Sequence, residues 1–231
     1  MVQSDPKLRL PTSDELPDSD GLPVDNELHI LVPNLLGLIL GFIWGQRFDW
    51  FFGVNMGIYH TSGINPRVPI VPDGFLSLGV ERIRGNRLRR SYVVWEENGI
   101  VPIFALEIVS HTPGSEYDDK MSIYAQLGVL YYVIYNPEFW RRDQQEPFEI
   151  YRLVNGSYQR QIGEPFWMPE IGLGIGRGIG SHQGLYREWL YWFDQRGNRI
   201  LTPEEQAAQV ANLESIIARY REHFGDLPEN G

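Results

Sequence analysis

Residues 102–138, PIFALEIVSHTPGSEYDDKMSIYAQLGVLYYVIYNPE, decide the fold of this chain. The stretch begins with an apolar strand pattern, and β-branched and aromatic residues fill a second one at 129–135. A helix pattern lies between them, with Ser115 as a candidate N-cap and Gly128 just past its end. Strand, helix and strand in this order form a βαβ crossover. The sequence therefore predicts an α/β fold with a mixed, partly parallel sheet and flanking helices.

Further elements extend in both directions from this unit. Pro33 suits the first turn of an apolar helix that runs to about Gly45, and Thr202-Pro203 opens a C-terminal helix that ends near Phe224. Other strand patterns lie at 48–60, 70–80, 91–96, 148–154 and 158–163. We predict three parts: a loose N-terminal leader at 1–24, a folded domain at 25–200 and a C-terminal helical extension at 201–231.

Composition excludes several classes of function. The 231 residues include no cysteine, which removes disulfides, thiolate metal sites and cysteine nucleophiles. The formal net charge of −10 argues against non-specific coating of nucleic acid. The polar N-terminal residues do not form a signal peptide pattern, and the apolar run at 30–44 is shorter than the roughly 20 residues of a membrane span. We expect a soluble, cytoplasmic protein with no membrane partner.

Two carboxylates occupy unusual positions. Glu107 lies in a strand pattern that is otherwise apolar on both faces, where a charge is costly unless it is paired or binds a cation. Asp73 ends the apolar run 69–72, also at a predicted strand. Alternatives stay open for both: Asp73 as a turn residue after a proline, and Glu107 as a buried partner of an arginine.

Lysine usage singles out a third residue. Of the 20 basic residues, Lys7 and Lys120 are the lysines, and Lys7 falls in the predicted leader. Lys120 lies on the helix that follows the Glu107 strand, one turn from Tyr117 and one from Tyr124. A compact ammonium suits a water molecule or a developing phosphate charge better than a guanidinium does. Alternatively, Lys120 is an ordinary lysine on the solvent-exposed face of the helix.

Together these residues are typical of metal-dependent phosphodiester hydrolysis. Mg²⁺, for which Mn²⁺ can substitute, prefers carboxylate oxygens, water and backbone carbonyls. We therefore predict that Asp73, Glu107 and the backbone carbonyl of Ile108 bind the metal. Lys120 would assist the attack of water.

Four segments resemble the Uma-type family of restriction endonucleases, which is abundant in cyanobacteria and belongs to the PD-(D/E)XK nuclease superfamily. They are PIVPDGFLSLGV (69–80), SYVVWEENG (91–99), the 102–138 stretch and FEIYRLVNGSY (148–158). The resemblance covers roughly residues 25–163. It implies a restriction-endonuclease-like sheet core and nuclease activity.

The resemblance also implies roles for single residues. Asp73 matches the motif aspartate and Glu107 the motif glutamate, whereas Val109 stands where the superfamily has its third motif residue. Lys120, on the following helix, would replace that residue. Glu27 resembles an accessory acid that many members place near the metal; alternatively it is a solvated residue before a helix.

The sequence thus favours a metal-dependent endonuclease that hydrolyses DNA. The alternative is a catalytically silent nuclease-fold protein that serves as a binding or oligomerisation module, which the net charge of −10 favours. Five arginines are candidates for contacts to the DNA backbone, although a solvated loop or partners for the excess of acids would also explain them. They are Arg82, Arg84, Arg87, Arg89 and Arg90.

Two further patterns lie near the C-terminus. Glycines alternate with other residues at 172–180, which favours a glycine-faced strand over a phosphate-binding loop because no helix follows promptly. In the C-terminal helix, apolar residues at 210, 213, 217, 220 and 224 form a short heptad seam. Docking of this seam on its own domain and pairing in a homodimer remain equally open.

Overall fold

A computed structural model describes residues 9–17, 26–63, 65–84, 87–112 and 115–225. Within these ranges the helices are α1 (Leu28–Ile43), α2 (Asp119–Leu127), α3 (Trp140–Asp143) and α4 (Pro203–Phe224). The strands are β1 (Trp50–Val54), β2 (Ile58–Tyr59), β3 (Gly74–Leu78), β4 (Tyr92–Val93), β5 (Phe104–Ile108), β6 (Tyr131–Tyr135), β7 (Phe148–Val154), β8 (Ser157–Arg160), β9 (Phe166–Met168), β10 (Leu173–His182) and β11 (Leu185–Phe193).

The main sheet has six strands in the order β1-β3-β5-β6-β7-β8. β5 and β6 run parallel and are joined through α2, whereas the other neighbouring strands run antiparallel. The βαβ crossover and the mixed sheet predicted from residues 102–138 are therefore confirmed. The fold is restriction-endonuclease-like.

Helix α1 is packed between two sheets. Its buried residues share one core with the main sheet on one side and with the antiparallel β9-β10-β11 sheet on the other. The indole Nε1 of Trp192 in β11 donates a buried hydrogen bond of 3.0 Å to the carbonyl of Leu36. The other face of the main sheet forms a second core with α2.

The predicted start of α1 was wrong, because Pro33 lies inside the helix and not in its first turn. The helix begins at Leu28, whose N–H donates to Oδ1 of Asn26 at 2.9 Å. Pro33 has no N–H for the carbonyl of His29 one turn earlier. The side-chain amide of Asn55 donates to that carbonyl at 3.2 Å, so the proline is accommodated.

The start of α2 also differs from the prediction. Ser115 is not its N-cap: residues 115–118 form a turn, and the helix begins at Asp119. The carbonyl of Ser115 accepts a hydrogen bond of 3.0 Å from the N–H of Lys120. The predicted end is confirmed, since Gly128 adopts the left-handed conformation with φ of 92°.

The strand predicted at 91–96 is shorter than expected. β4 ends at Val93, and a 3-10 turn follows at Val94–Glu96. The N–H groups of Glu97 and Gly99 donate to the carbonyl of Val94 at 3.1 and 2.9 Å, so the chain turns here instead of continuing the strand. Asn98 and Gly99, with φ of 56° and 76°, complete the turn.

Residues 9–17 pack against the domain, although they belong to the leader that we expected to be loose. The Tyr59 hydroxyl donates to the carbonyl of Pro17 at 2.7 Å, and the Trp95 indole donates to the carbonyl of Pro11 at 2.9 Å. Leu16 is buried beside Tyr59. The remaining leader residues, 1–8 and 18–24, lie outside the described residues.

The glycine-alternating segment forms β10, as the strand prediction required. A side chain at Gly178 would lie about 3.0 Å from Tyr191, and one at Gly180 would overlap the Tyr191 hydroxyl. Close packing of this aromatic ring explains Gly178 and Gly180. Among the described residues, no helix has the length and apolar character needed to cross a bilayer.

Candidate active site

Asp73 and Glu107 meet where β3 begins and β5 ends. The two strands are antiparallel, with Gly74 paired to Leu106. Extending this register by one residue places Asp73 opposite Glu107. Both side chains are buried, with 8% of Asp73 and 1% of Glu107 exposed.

The carboxylate of Asp73 is held by two elements. Its Oδ2 accepts a hydrogen bond of 2.7 Å from the backbone N–H of Ile108, and its Oδ1 accepts one of 2.8 Å from Nδ1 of His29 in α1. Its backbone carbonyl accepts from the N–H of Asn55 at 3.1 Å. Asp73 is therefore more than a turn residue after a proline, because its side chain joins α1 to β5.

The carboxylate of Glu107 is bound from α2. Its Oε2 accepts a hydrogen bond of 2.9 Å from Nζ of Lys120, and its Oε1 accepts one of 2.6 Å from the Tyr124 hydroxyl. Lys120 and Tyr124 are one helical turn apart, so both reach the strand from the same side. The charged partner of this carboxylate is thus a lysine and not the arginine of the alternative interpretation.

Electrostatics distinguish the two members of this pair. Burial raises the pKa of Glu107 to about 7, with a further upward contribution from the Asp73 charge, while Lys120 and the Tyr124 hydroxyl act against the shift. For Lys120, burial acts to lower the pKa, but the carboxylates of Glu107 and Glu116 raise it above its ordinary value. The ammonium is therefore charged at neutral pH. It can stabilise negative charge but cannot serve as a base.

The backbone of Ile108 completes the group. Its N–H points toward Asp73, and in a β-strand the N–H and carbonyl of one residue point to the same side. The carbonyl of Ile108 therefore faces the β3 side of β5, beyond the last paired residue of β3. Val109 is buried in the α2-side core, so position 109 supplies no polar group.

The structure also shows two neighbours that sequence reasoning missed. His29 contacts Asp73 from 44 residues away, and no local pattern indicates that pairing. Glu116 lies with Oε1 3.8 Å from Nζ of Lys120. The i,i+4 spacing of Glu116 and Lys120 could have revealed this second contact.

Glu27 lies exposed immediately before α1. His29, two residues later, is the side chain from this region that reaches Asp73. The accessory role of Glu27 stays a prediction. In the part of the chain that the structure describes, no three or more acids, histidines or cysteines are grouped as metal ligands.

Three of the five arginines pair with acids. The pairs are Arg84 with Glu96 at 3.0 Å, Arg89 with Glu97 at 2.7 Å and Arg90 with Asp14 at 3.6 Å. Arg89 and Glu97 are both buried, since 5% and 6% of their side chains are exposed. These contacts agree with the interpretation of the arginines as partners for the excess of acids.

Among the described residues, the other two arginines form no ion pair with an acid. The guanidinium of Arg82 stacks over Trp50, 4.6 Å from the ring centre, and Arg87 is exposed. Contact of any of the five with a DNA backbone stays a proposal. Arg82 and Arg87 are the better placed for it.

Comparison with known families agrees with the resemblance found in the sequence. The profile of the Uma2 family, described as "Putative restriction endonuclease", matches residues 9–179, about three quarters of the chain. The match contains Asp73, Glu107 and Lys120, and it ends within β10, before α4. No curated protein and no solved structure matches the chain. The chain belongs to the Uma2 family of restriction-endonuclease-like proteins.

Proposed function

We propose that the protein is a Mg²⁺-dependent endonuclease that hydrolyses phosphodiester bonds of DNA. The observation that carries this proposal is the charged Lys120 ammonium, hydrogen-bonded to the buried Glu107 carboxylate where Asp73 faces it from the next strand. The description of the Uma2 family supports a nuclease.

The chemistry of this group suits a hard divalent cation. Two carboxylates and a strand carbonyl are oxygen ligands of the kind that Mg²⁺ prefers, and Mg²⁺ usually keeps several water molecules. Each of the four carboxylate oxygens accepts a hydrogen bond from a described residue. An ionised carboxylate has about four lone-pair sites, so acceptor capacity remains on both side chains. The raised pKa of Glu107 indicates a site that a cation would stabilise.

The residues would divide the work as follows. Asp73, Glu107 and the Ile108 carbonyl would hold the metal, which would lower the pKa of a bound water and polarise a phosphoryl oxygen. Lys120 would place a fixed positive charge beside the attacking oxygen or the scissile phosphate. Tyr124 would orient Glu107, and His29 would orient Asp73, through the hydrogen bonds that they donate.

A protein this acidic must bind DNA through a small group of basic residues and not through its overall charge. The chain carries a net charge of −10, and three of the five candidate arginines already pair with acids. We propose that Arg82 and Arg87 contact the DNA backbone. Replacing either arginine by glutamine should weaken binding equally for different DNA sequences and reduce its dependence on salt.

Nicking of supercoiled plasmid DNA with Mg²⁺ or Mn²⁺ tests the proposed activity. We expect cleavage by the wild type and its loss in Glu107→Gln. Glu149→Gln is the matched control: Glu149 is buried on the same sheet face, and Ile134 separates it from Glu107 in the strand register. Glu149 pairs with Arg160 at 3.2 Å. Two strand spacings, roughly 10 Å, separate Glu149 from Glu107. Equal activity of both variants would contradict the assignment of the site.

The second candidate function is a nuclease-fold module that does not cut. It is favoured by the acid-paired arginines and by the exposed apolar residues of α4. A wild type that cleaves neither DNA nor RNA with either metal, while its fold is intact, would support this module over the enzyme.

A further inference from the structure

Helix α4 is firmly anchored at its first turn. The hydroxyl of Thr202 accepts a hydrogen bond of 3.1 Å from the N–H of Glu205, and Glu205 in turn accepts one of 2.9 Å from the N–H of Thr202. Glu205 also pairs with Arg199 at 2.9 Å, and Thr202 is fully buried. Beyond this turn the helix leaves the domain: none of its 22 residues is buried.

The projecting helix carries an apolar face that the described part of the chain does not cover. Its large apolar side chains are between 45% and 74% exposed: Val210, Leu213, Ile216, Ile217, Tyr220 and Phe224. Five of them follow the a and d positions of a heptad repeat, with Val210, Ile217 and Phe224 at a. Within the described residues the seam does not dock on its own domain, which favours the alternative of pairing with another chain.

The charges beside the seam indicate what covers it. Glu214 and Arg221 both occupy e positions, seven residues apart. In an antiparallel pair of helices, e positions lie beside e positions of the partner. In one such register, Ile217 packs against the partner's Tyr220 and Leu213 against the partner's Phe224. Glu214 then lies beside the partner's Arg221. Because the pair is symmetric, this contact occurs twice in each dimer.

Other arrangements do not give this complementarity. In a parallel pair, e faces g, so Glu214 would face the partner's Gln209 and Arg221 the partner's Ile216. An antiparallel register shifted by seven residues would place Glu214 against the partner's Glu214. We propose that α4 pairs with α4 of a second copy as a short antiparallel coiled coil in the first register.

This arrangement also suits the position of the domains. Each helix leaves its domain at its N-terminus, so antiparallel pairing places the two domains at opposite ends of the coil. The paired segment, residues 213–224, spans about 18 Å, and residues 203–212 add roughly 15 Å on each side. The interface is small, so we expect a weak dimer that forms at tens to hundreds of micromolar. This inference does not depend on the proposed nuclease activity.

Sedimentation of the full-length protein tests for the dimer. We expect a concentration-dependent dimer at about 100 µM that Ile217→Asp abolishes, because a charge then enters the seam. Ser215→Asp is the matched control, since position 215 is exposed on the opposite side of the helix. Melting curves of both variants should match the wild type, because α4 contributes no buried side chain. A wild-type monomer at this concentration overturns the proposal.

A charge exchange tests orientation and register. Arg221→Glu should weaken the dimer about tenfold, because two attractive contacts become repulsive, and Glu214→Arg/Arg221→Glu should restore it. The cysteine-free chain also allows a direct measurement. A mixture of Leu213→Cys and Phe224→Cys proteins should form a mixed disulfide. Failure of the double exchange to restore the dimer, or disulfide formation by Phe224→Cys with itself, overturns the antiparallel register.

Discussion

Lys120 in α2 donates a hydrogen bond of 2.9 Å to Glu107 in β5, and its ammonium thereby lies on the same sheet face as Val109. Residues two apart in a strand point to the same face. A lysine at 109 would therefore have projected from the same side as Glu107. The helix that covers this face supplies the ammonium instead, which leaves position 109 free for a buried valine.

Divalent metal should stabilise the native protein. At tenfold its dissociation constant, Mn²⁺ is expected to raise the unfolding free energy by about 1.4 kcal/mol, or the melting temperature by about 3 °C. Differential scanning calorimetry with and without Mn²⁺ measures the shift. Glu107→Gln should lose it, and Glu149→Gln should keep it. An unchanged wild-type melting temperature in millimolar Mn²⁺ would contradict the metal site.

The raised pKa of Glu107 makes stability depend on pH. The folded protein holds this proton with a pKa of about 7, whereas the ordinary value is 4.5. The contribution to stability is therefore complete below pH 4.5 and is lost as the pH rises toward 7. We expect a loss on the order of 3 kcal/mol in metal-free buffer, measured by urea unfolding between pH 4.5 and 8. Glu107→Gln should remove this dependence of stability on pH, and substitution of an exposed acid, Glu222→Gln, should leave it unchanged. The same pH dependence in the wild type and both variants would disprove the assignment of the raised pKa to Glu107.

Lys120 should matter for both rate and stability. Lys120→Ala is expected to lower metal-dependent nicking about 10²–10³-fold, and Lys120→Arg should restore little, because a planar guanidinium does not reproduce a compact ammonium. The alanine variant also leaves a buried carboxylate without its charged partner. We expect a loss of about 1–3 kcal/mol at pH 8 and less at pH 5, where Glu107 is protonated. Full nicking activity in Lys120→Ala would remove this lysine from the mechanism.

His29 and Asp73 should be energetically coupled. A double-mutant cycle with His29→Ala and Asp73→Ala, followed by urea unfolding, is expected to give a coupling of about 1–2 kcal/mol, since the hydrogen bond between them is buried. If the losses of unfolding free energy in the two single variants add up to the loss in the double variant, the contact contributes nothing to stability. In the nicking assay, His29→Ala should retain more activity than Asp73→Ala, because the proposed role of His29 is to orient Asp73.

The candidate residues could be found from the sequence because each breaks a local pattern. Glu107 interrupts an apolar strand, and Lys120 is a rare lysine among 18 arginines. The sequence shows Tyr124 only as a helix neighbour of Lys120, one turn away, although its hydroxyl also binds Glu107. Its second role depends on which strand the helix covers, and no local pattern contains that information.

The sequence by itself determined the βαβ unit, the capped start of α4 and the left-handed end of α2 at Gly128. These features arise from periodic burial and from contacts between residues a few positions apart, so the local pattern contains their cause. Only the tertiary structure decided that α1 lies between two sheets, that His29 meets Asp73 and that Arg89 is buried against Glu97. It also left the α4 seam exposed, away from its own domain. Such contacts depend on the order of the strands and on the face that each helix covers, which the packing of the whole core selects.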